Sequence, residues 1–452
     1  MNVGFDTIGN ATIICYDRGP ILVTDPWLTG SAYFGSWTFS HEIPVEQMEA
    51  ARQCQFVWVS HGHPDHLSPD SLELLRGKTI LLPDHRGNRI RDDLQVLGFK
   101  TQVLQNRVWT KLSDRIRVLC IADYNQDGIL LIDINGRLLV NLNDAGDRGW
   151  SSFVRGIVRR YDRSFLLKLG GFGDADMINF FDESGNRIPV LKKDSVGEAM
   201  AIEASTYGTR YVVPFSSMHR YQRSDSIWAE QYVTQVSDYS VGFDSKLSEM
   251  LPAFIRYDCE KDRLEEIRPE EKIVKVHTPE EFGDKWNDQL EKSEVGQLSQ
   301  YFKSISHLRE RFDFMRFRVG GSDHVIELAR NRFNRGITFE VPRSSLMTAV
   351  QYEVFDDLLI GNFMKTTLHG KFDEGRLYPD FTPYVAKYSD NGKAKTKAEL
   401  EAYFESYRKQ APYDYFRHVI ESSCRRAVLM MGGPETALYR VAAKTYHYVK
   451  SL

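Results

Sequence analysis

The chain has 452 residues, with 58 Lys and Arg against 62 Asp and Glu, for a formal net charge of −4. That length exceeds what one hydrophobic core serves, so two or three domains are expected. The balanced charge offers no global field for nucleic acid or an anionic membrane, and no apolar run approaches the ~20 residues of a membrane helix. The five cysteines, Cys15, Cys54, Cys120, Cys259 and Cys424, are scattered without a C-x-x-C pair. This argues against a disulfide framework or zinc knuckle and for a reducing compartment. The start, MNVGFDTIGN, lacks the profile of a signal peptide, so the expected location is cytoplasmic.

In chain order, ATIICYD and PILVTDPW read as β-strands joined at Asp17-Arg18-Gly19. FVWVS (56–60) reads as a buried strand. Ser68 is a good N-cap with Pro69 at the first helical position, opening a short helix that ends at Gly77. KTILLPD (78–84), IRVLCIAD (116–123), GILLIDI (128–134) and RLLVNLND (137–144) are strands, the last two joined by the hairpin signal Asn135-Gly136. Residues 145–205 read as helical and irregular, with a Gly170-Gly171-Phe172-Gly173 loop, and TRYVVPF (209–215) as a strand ending just before His219.

From about 276 the character changes. TPEEFGDKWNDQLEK and SQYFKSISHLRERFD read as charged amphipathic helices, FDFMRFRVG and ITFEVP as strands. SSLMTAVQYEVFDDLLIG, KAELEAYFESYRKQ and DYFRHVIESSCRRAVLMM read as helices, and YSDNGKAKTK (388–397) as a polar surface loop. The expected division is a metal-binding domain over 1–275 and an α+β domain over 276–452.

The stretch with most chemistry is SHGHPDHLS, where His61, His63, Asp65 and His66 form H-x-H-x-D-H between a buried strand and a helix start. On an extended turn residues 61 and 63 point the same way and can grip one ion, while Asp65 and His66 can face a second. Imidazole and carboxylate suit zinc or iron.

This motif in this context resembles the metallo-β-lactamase superfamily. DPWLTGSAYFGSWTFSHE, SHGHPDHLS, LVNLND, the Gly170-Gly171 loop, YVVPF and FDDLLIG further resemble, in order, blocks of the CMP-N-acetylneuraminate hydroxylases. The resemblance implies an α/β fold, a four-layer αβ/βα sandwich, with the α+β region following. It implies that His61 and His63 hold one metal, Asp65 and His66 a second, with Asp144 bridging and His219 as the last ligand. Asp65 would also orient or ligate the nucleophile, and Asp25 would support the ligands from behind. Where the hydroxylases carry a histidine this chain has Asp123. That residue is either a ligand, shifting the site toward iron or manganese, or a simple strand-end residue. The hydroxylases' Rieske domain precedes their metal fold, and no set of two Cys and two His for such a centre is seen here, so electrons would come from a separate protein.

Trp27, Tyr33, Phe34, Trp37 and His41 could wall a substrate pocket or form a core patch, and His41, Tyr221 and Arg223 are candidate substrate contacts. Two reactions remain in view. One is a non-haem oxygenase with one or two irons, hydroxylating a polar, anionic small molecule. The other is a two-metal zinc or manganese hydrolase of a phosphoester, lactone or amide. Neither calls for nucleic acid or membrane, and a homo-oligomer stays open.

Overall fold

The computed structural model of the chain describes residues 1–123, 127–170, 177–190, 195–216, 218–372, 376–378, 380–385 and 394–431. Residues 171–173 of the expected glycine loop and 388–393 of the expected polar loop lie outside them.

Two large mixed sheets face each other. The first runs in the order Arg263–Glu266, Ile255–Asp258, Val3–Thr7, Ile13–Asp17, Pro20–Thr24, Phe56–Trp58, Thr79–Pro83, Lys100–Leu104. The second runs Glu249–Met250, Tyr211–Pro214, Ser164–Lys168, Arg137–Asn143, Gly128–Ile134, Ile116–Ala122, Trp109–Lys111. Alternation along the strands sorts their side chains into layers. Phe5, Cys15, Trp58 and Leu81 from the first sheet meet Val118, Leu130, Phe165 and Val213 from the second. On the outer face of the first sheet, Ile14, Val57 and Ile80 pack on Ala51, Leu72 and Leu94 of the helices Val45–Gln53, Pro69–Leu74 and Arg89–Val96. On the outer face of the second, Leu131, Val140 and Leu166 pack on Val154 of the helix Ser151–Val158 and Met200 and Tyr207 of the helix Val196–Tyr207. The result is a four-layer αβ/βα sandwich, the metallo-β-lactamase fold. Strands covered on both faces lose the apolar–polar alternation, which is why GILLIDI is apolar but for Asp133 and RLLVNLN has the unbroken run Leu138-Leu139-Val140.

The hairpin at Asn135-Gly136 is as expected, with both residues at positive φ, 50° and 78°. Ser68 caps the helix Pro69–Leu74 by accepting from Ser71 N at 3.2 Å. Three expectations need correction. SFLLK within 145–205 is a strand of the second sheet, fully buried. TPEEFGDKWNDQLEK makes only the single 3-10 turn Pro279–Phe282, capped at Thr278 and stopped at Gly283 with φ 85°. SSLMTAVQYEVFDDLLIG is two helices, Arg343–Tyr352 and Phe355–Ile360, because Glu353 turns left-handed at φ 54°.

A third sheet, in the order Phe180–Phe181, Lys365–His369, Gly336–Glu340, Phe314–Val319, Ser322–Glu327, carries a core of its own. Phe302, Phe317, Phe339, Phe355 and Phe381 are its centre. This later part of the chain is clasped to the sandwich. Arg223, wholly buried, pairs through Nη1 with buried Asp284 at 2.8 Å, and Asp284 in turn accepts from Ser345 N at 2.9 Å in the first turn of Arg343–Tyr352. The helix Lys397–Gln410 reaches across to donate from Tyr403 OH to the carbonyl of Asp123 (3.2 Å) and from Tyr407 OH to that of Arg148 (3.1 Å). All five cysteines are free thiols, and among the described residues no helix is long and apolar enough to cross a membrane.

Candidate metal centre

The strands Pro20–Thr24, Phe56–Trp58 and Thr79–Pro83 run parallel, as do Arg137–Asn143, Ser164–Lys168 and Tyr211–Pro214 in the facing sheet. Their C-terminal ends deliver Asp25, His61–His66, His85, Asp144 and Ser216 to one edge of the sandwich. Loops at the carboxyl ends of parallel strands are where a rigid α/β scaffold presents its chemistry.

The turn after Phe56–Trp58 is fixed by backbone bonds from His66 N and Leu67 N to the carbonyl of His63, at 3.0 and 2.7 Å. His61, His66 and Asp144 each offer a ligand atom, all within 4.8 Å of one another. His66 Nε2 lies 3.2 Å from Asp144 Oδ2 and His61 Nε2 lies 3.8 Å from the same oxygen. A second group joins His63 to Asp356 and Asp357, again within 4.8 Å, and His63 Nε2 is 2.9 Å from Asp356 Oδ2. The two groups adjoin, since His61 Nε2 and His63 Nδ1 are 2.9 Å apart. Two imidazole nitrogens facing at that separation can turn to a common cation.

Neighbours hold these side chains in place. Asp25, with 0% exposure, takes Ser60 N on Oδ1 at 2.7 Å and faces His66 Nδ1 with Oδ2 at 3.4 Å. It therefore stands behind His66, orienting the ring as outer carboxylates do in metal sites. Asp65 accepts from Tyr33 OH at 2.6 Å and from Asn10 Nδ2 at 3.3 Å. Ser216 Oγ donates to Asp144 Oδ1 at 2.9 Å, and its own N–H binds the carbonyl of Asn10. Asn10, Asp25, Tyr33, Asn143 and Ser216 all have φ between 36° and 60°. Left-handed backbone costs most at Tyr33 and Ser216, since Asn and Asp adopt it readily.

The electrostatics divide the two histidines. Burial pushes His61 well below the usual histidine value, helped by His66 and His63. Burial also opposes charge on His66, but Asp65 and Asp144 outweigh it and hold the imidazolium well above that value. Asp144 is opposed by burial and nevertheless lowered by His66 and His61. The carboxyl of Asp25 is raised by its burial. Imidazole nitrogens and carboxylate oxygens, buried and converging, fit a divalent first-row metal, and Asp356 Oδ1 has no hydrogen-bond partner of its own.

The other expected residues fall differently. Asp123 is buried at the same edge but belongs to neither three-residue group, and its carbonyl is held by Tyr403. His219 is buried with both ring nitrogens lacking hydrogen-bond partners, and it stacks on Trp37 with ring centres 3.5 Å apart. Burial alone pushes its imidazole down to about 3. Tyr221 is buried and accepts from Asn362 Nδ2 at 2.9 Å. Arg223 is committed to Asp225, Asp284 and the carbonyl of Phe34, under the ring of Phe363 at 3.9 Å. Its guanidinium is thus spent within the protein rather than presented to a pocket. His41 bonds Ser40 Oγ at 2.8 Å and lies against Phe254. Trp27, Tyr33 and Trp37 are buried in one aromatic patch with Tyr221 and Ile360.

Sequence reading missed Asp356, Asp357, Tyr33 as the partner of Asp65, and Ser216. His85, buried nearby, also acts on His61 through its charge. The nearest signal was the acidic pair in FDDLLIG, whose Asp356 is buried where a helix of ordinary design would place it in solvent.

No family model matches the chain. It is similar to cytidine monophosphate-N-acetylneuraminic acid hydroxylase of Danio rerio, 30% identical over 132 residues, covering 27% of this chain and 22% of that protein. It is also similar to the inactive cytidine monophosphate-N-acetylneuraminic acid hydroxylase of Homo sapiens, 28% identical over 132 residues, covering 27% of this chain and 26% of that one. The similarity therefore spans about a quarter of these curated relatives' length or less. Among solved structures, a diiron beta-hydroxylase from Streptomyces venezuelae superposes with TM-score 0.39 and 14% identity, covering 59% of this chain and 54% of the other. The metallo-beta-lactamase fold protein YhfI from Bacillus subtilis does so with TM-score 0.34 and 10% identity, covering 56% and 98%.

Proposed function

We propose that the chain is a metal-dependent enzyme. Of the two chemistries its motif admits, we favour an oxygenase that hydroxylates a polar, anionic small molecule with electrons from a separate protein. The observation that carries the reading is the convergence of three histidines with Asp144, Asp356 and Asp357 in two adjoining groups, beside Asp65. Carboxylate-rich sets favour iron or manganese over zinc. The similarity to curated hydroxylases supports the same reading. Iron held here would supply the oxygen chemistry that no side chain can.

The residues of the chain have the remaining work. His61, His66 and Asp144 would hold the ion, Asp25 fixes the ring of His66, and Tyr33 and Asn10 fix Asp65. The aromatic patch of Trp27, Tyr33 and Trp37 packs behind the edge. Asp123 and His219 stay as candidate further ligands, since both lie buried at strand ends. A second reading, a zinc or manganese hydrolase, is favoured by one observation. Asp65 is buried and aimed by two hydrogen bonds, as a carboxylate that positions a nucleophilic water must be.

Metal analysis of protein from iron-replete cells, with oxygen uptake in the presence of a chemical reductant, separates the readings. Iron near one or two per chain and reductant-dependent uptake are expected. Stoichiometric zinc, with cleavage of phosphoester or lactone probes independent of oxygen, would overturn the oxygenase reading.

A further inference from the structure

We propose that Asp356 is a positioning residue of the metal centre. Delivered by the later part of the chain, it fixes which nitrogen of His63 carries the proton and so turns the other nitrogen toward the ion. The inference rests on the proposal that the chain binds metal, and makes that binding depend on the docking of the two parts of the chain.

The contact comes first. Asp356 is 1% exposed, and its Oδ2 lies 2.9 Å from His63 Nε2, while Oδ1 has no hydrogen-bond partner. A carboxylate only accepts, so the hydrogen between these two atoms sits on Nε2. A neutral imidazole carries a single ring hydrogen, which leaves the lone pair of His63 on Nδ1. That nitrogen is the one 2.9 Å from His61 Nε2. His63 thus presents its ligating atom where His61 presents its own, with Asp356 at its back. A carboxylate behind the rear nitrogen of a ring both fixes its orientation and strengthens it as a ligand.

The other two rings are backed in the same way, but from the sandwich itself. His61 Nδ1 faces Ser60 Oγ at 2.9 Å and His66 Nδ1 faces Asp25 Oδ2 at 3.4 Å, which leaves both Nε2 atoms turned to Asp144. Of the three backing groups, only Asp356 comes from a distant segment, 293 residues beyond its histidine. Its helix, Phe355–Ile360, is placed by both parts of the chain. Phe355, Leu358 and Leu359 enter the later core, whereas Ile360 packs with Trp27, Tyr33 and Trp37 of the sandwich. Just beyond the helix, Asn362 donates from Nδ2 to Tyr221 OH at 2.9 Å and accepts on Oδ1 from Ile178 N at 2.9 Å. A side chain locked by its packing can dictate the state of its partner. By linkage, an ion that needs His63 in this form favours the docked arrangement, and docking favours the ion.

The test is ring-nitrogen NMR of the full chain carrying isotope-labelled histidine, with zinc(II) as a diamagnetic probe ion and His63→Gln to assign the His63 signals. Wild type should show the His63 hydrogen on Nε2, with zinc at Nδ1 once loaded. Asp356→Asn keeps shape and a hydrogen bond, but its amide can donate as well as accept and no longer selects one form of the ring. The metal-free variant should gain the form of His63 protonated on Nδ1, and should bind zinc about 10–100-fold more weakly in chelator competition. Circular dichroism checks that the variant folds. A wild-type His63 with its hydrogen on Nδ1 would overturn the positioning role without recourse to any variant. Zinc affinity unchanged within twofold, or weakened with the His63 signals unaltered, would overturn it as well, and all three results leave the metal-enzyme reading intact. No zinc, iron(II) or manganese(II) bound by wild type would overturn both.

Discussion

The clasp between the two parts of the chain centres on Arg223 and Asp284, both with fully buried side chains. Consider Asp284→Ala. Arg223 keeps Asp225, which it meets through Nε at 2.9 Å and Nη2 at 3.1 Å, and the carbonyl of Phe34 at Nη1, but loses the carboxylate facing Nη1. Ser345 N, held at 2.9 Å, is orphaned at the start of a helix. Removing one partner of a buried ion pair costs about 3–5 kcal/mol, because the other charge stays buried. The orphaned N–H falls within that range, and Asp225 keeps the total from exceeding it. Urea unfolding followed by circular dichroism measures the loss. A cycle with Arg223→Met and the double variant should give a coupling energy of about 1–3 kcal/mol, since the second substitution removes the charge the first left stranded. A loss under 1 kcal/mol, or additivity within about 0.5 kcal/mol, would refute the buried-pair reasoning.

Asp25→Ala should weaken metal binding about 10–100-fold by releasing the ring of His66, read by competition against a chelator, with the fold retained; unchanged affinity would remove Asp25 from the site. Asp313 takes the N–H groups of Arg332 at 2.7 Å and Phe333 at 3.1 Å. Burial opposes its charge, but these N–H groups and that of Arg335 hold its carboxyl below the usual range. A depressed folded value gives stability present above the unfolded pKa of about 3.9 and lost as pH falls through the folded value. Asp313→Asn should therefore cost about 2 kcal/mol at neutral pH, with the gap to wild type closing in the acid range below about 4. A gap independent of pH would contradict the assignment.

The sandwich was legible because its strands announce themselves locally. GILLIDI is apolar and β-branched enough to read as a buried strand, and Asn135-Gly136 pairs it with the Leu138-Leu139-Val140 run of RLLVNLN. SFLLK was not legible, since five residues between a basic stretch and glycines carry no period that separates strand from helix. At the site, H-x-H-x-D-H declared itself by density, and Asp144 by its place at a strand end. Asp356 and Asp357 could not, because what brings them to His63 is the docking of the later part of the chain, a contact with no local signature. Arg223 shows the converse: a loop position suggested substrate, while burial and Asp284 give it to the clasp.

The central claim is that His61, His66 and Asp144 share one metal ion. Anomalous diffraction at the iron and zinc edges, from crystals of metal-loaded protein, tests it most directly. The account predicts a peak about 2.0–2.2 Å from a nitrogen of each histidine and an oxygen of Asp144. A peak elsewhere, or none after loading, would contradict it.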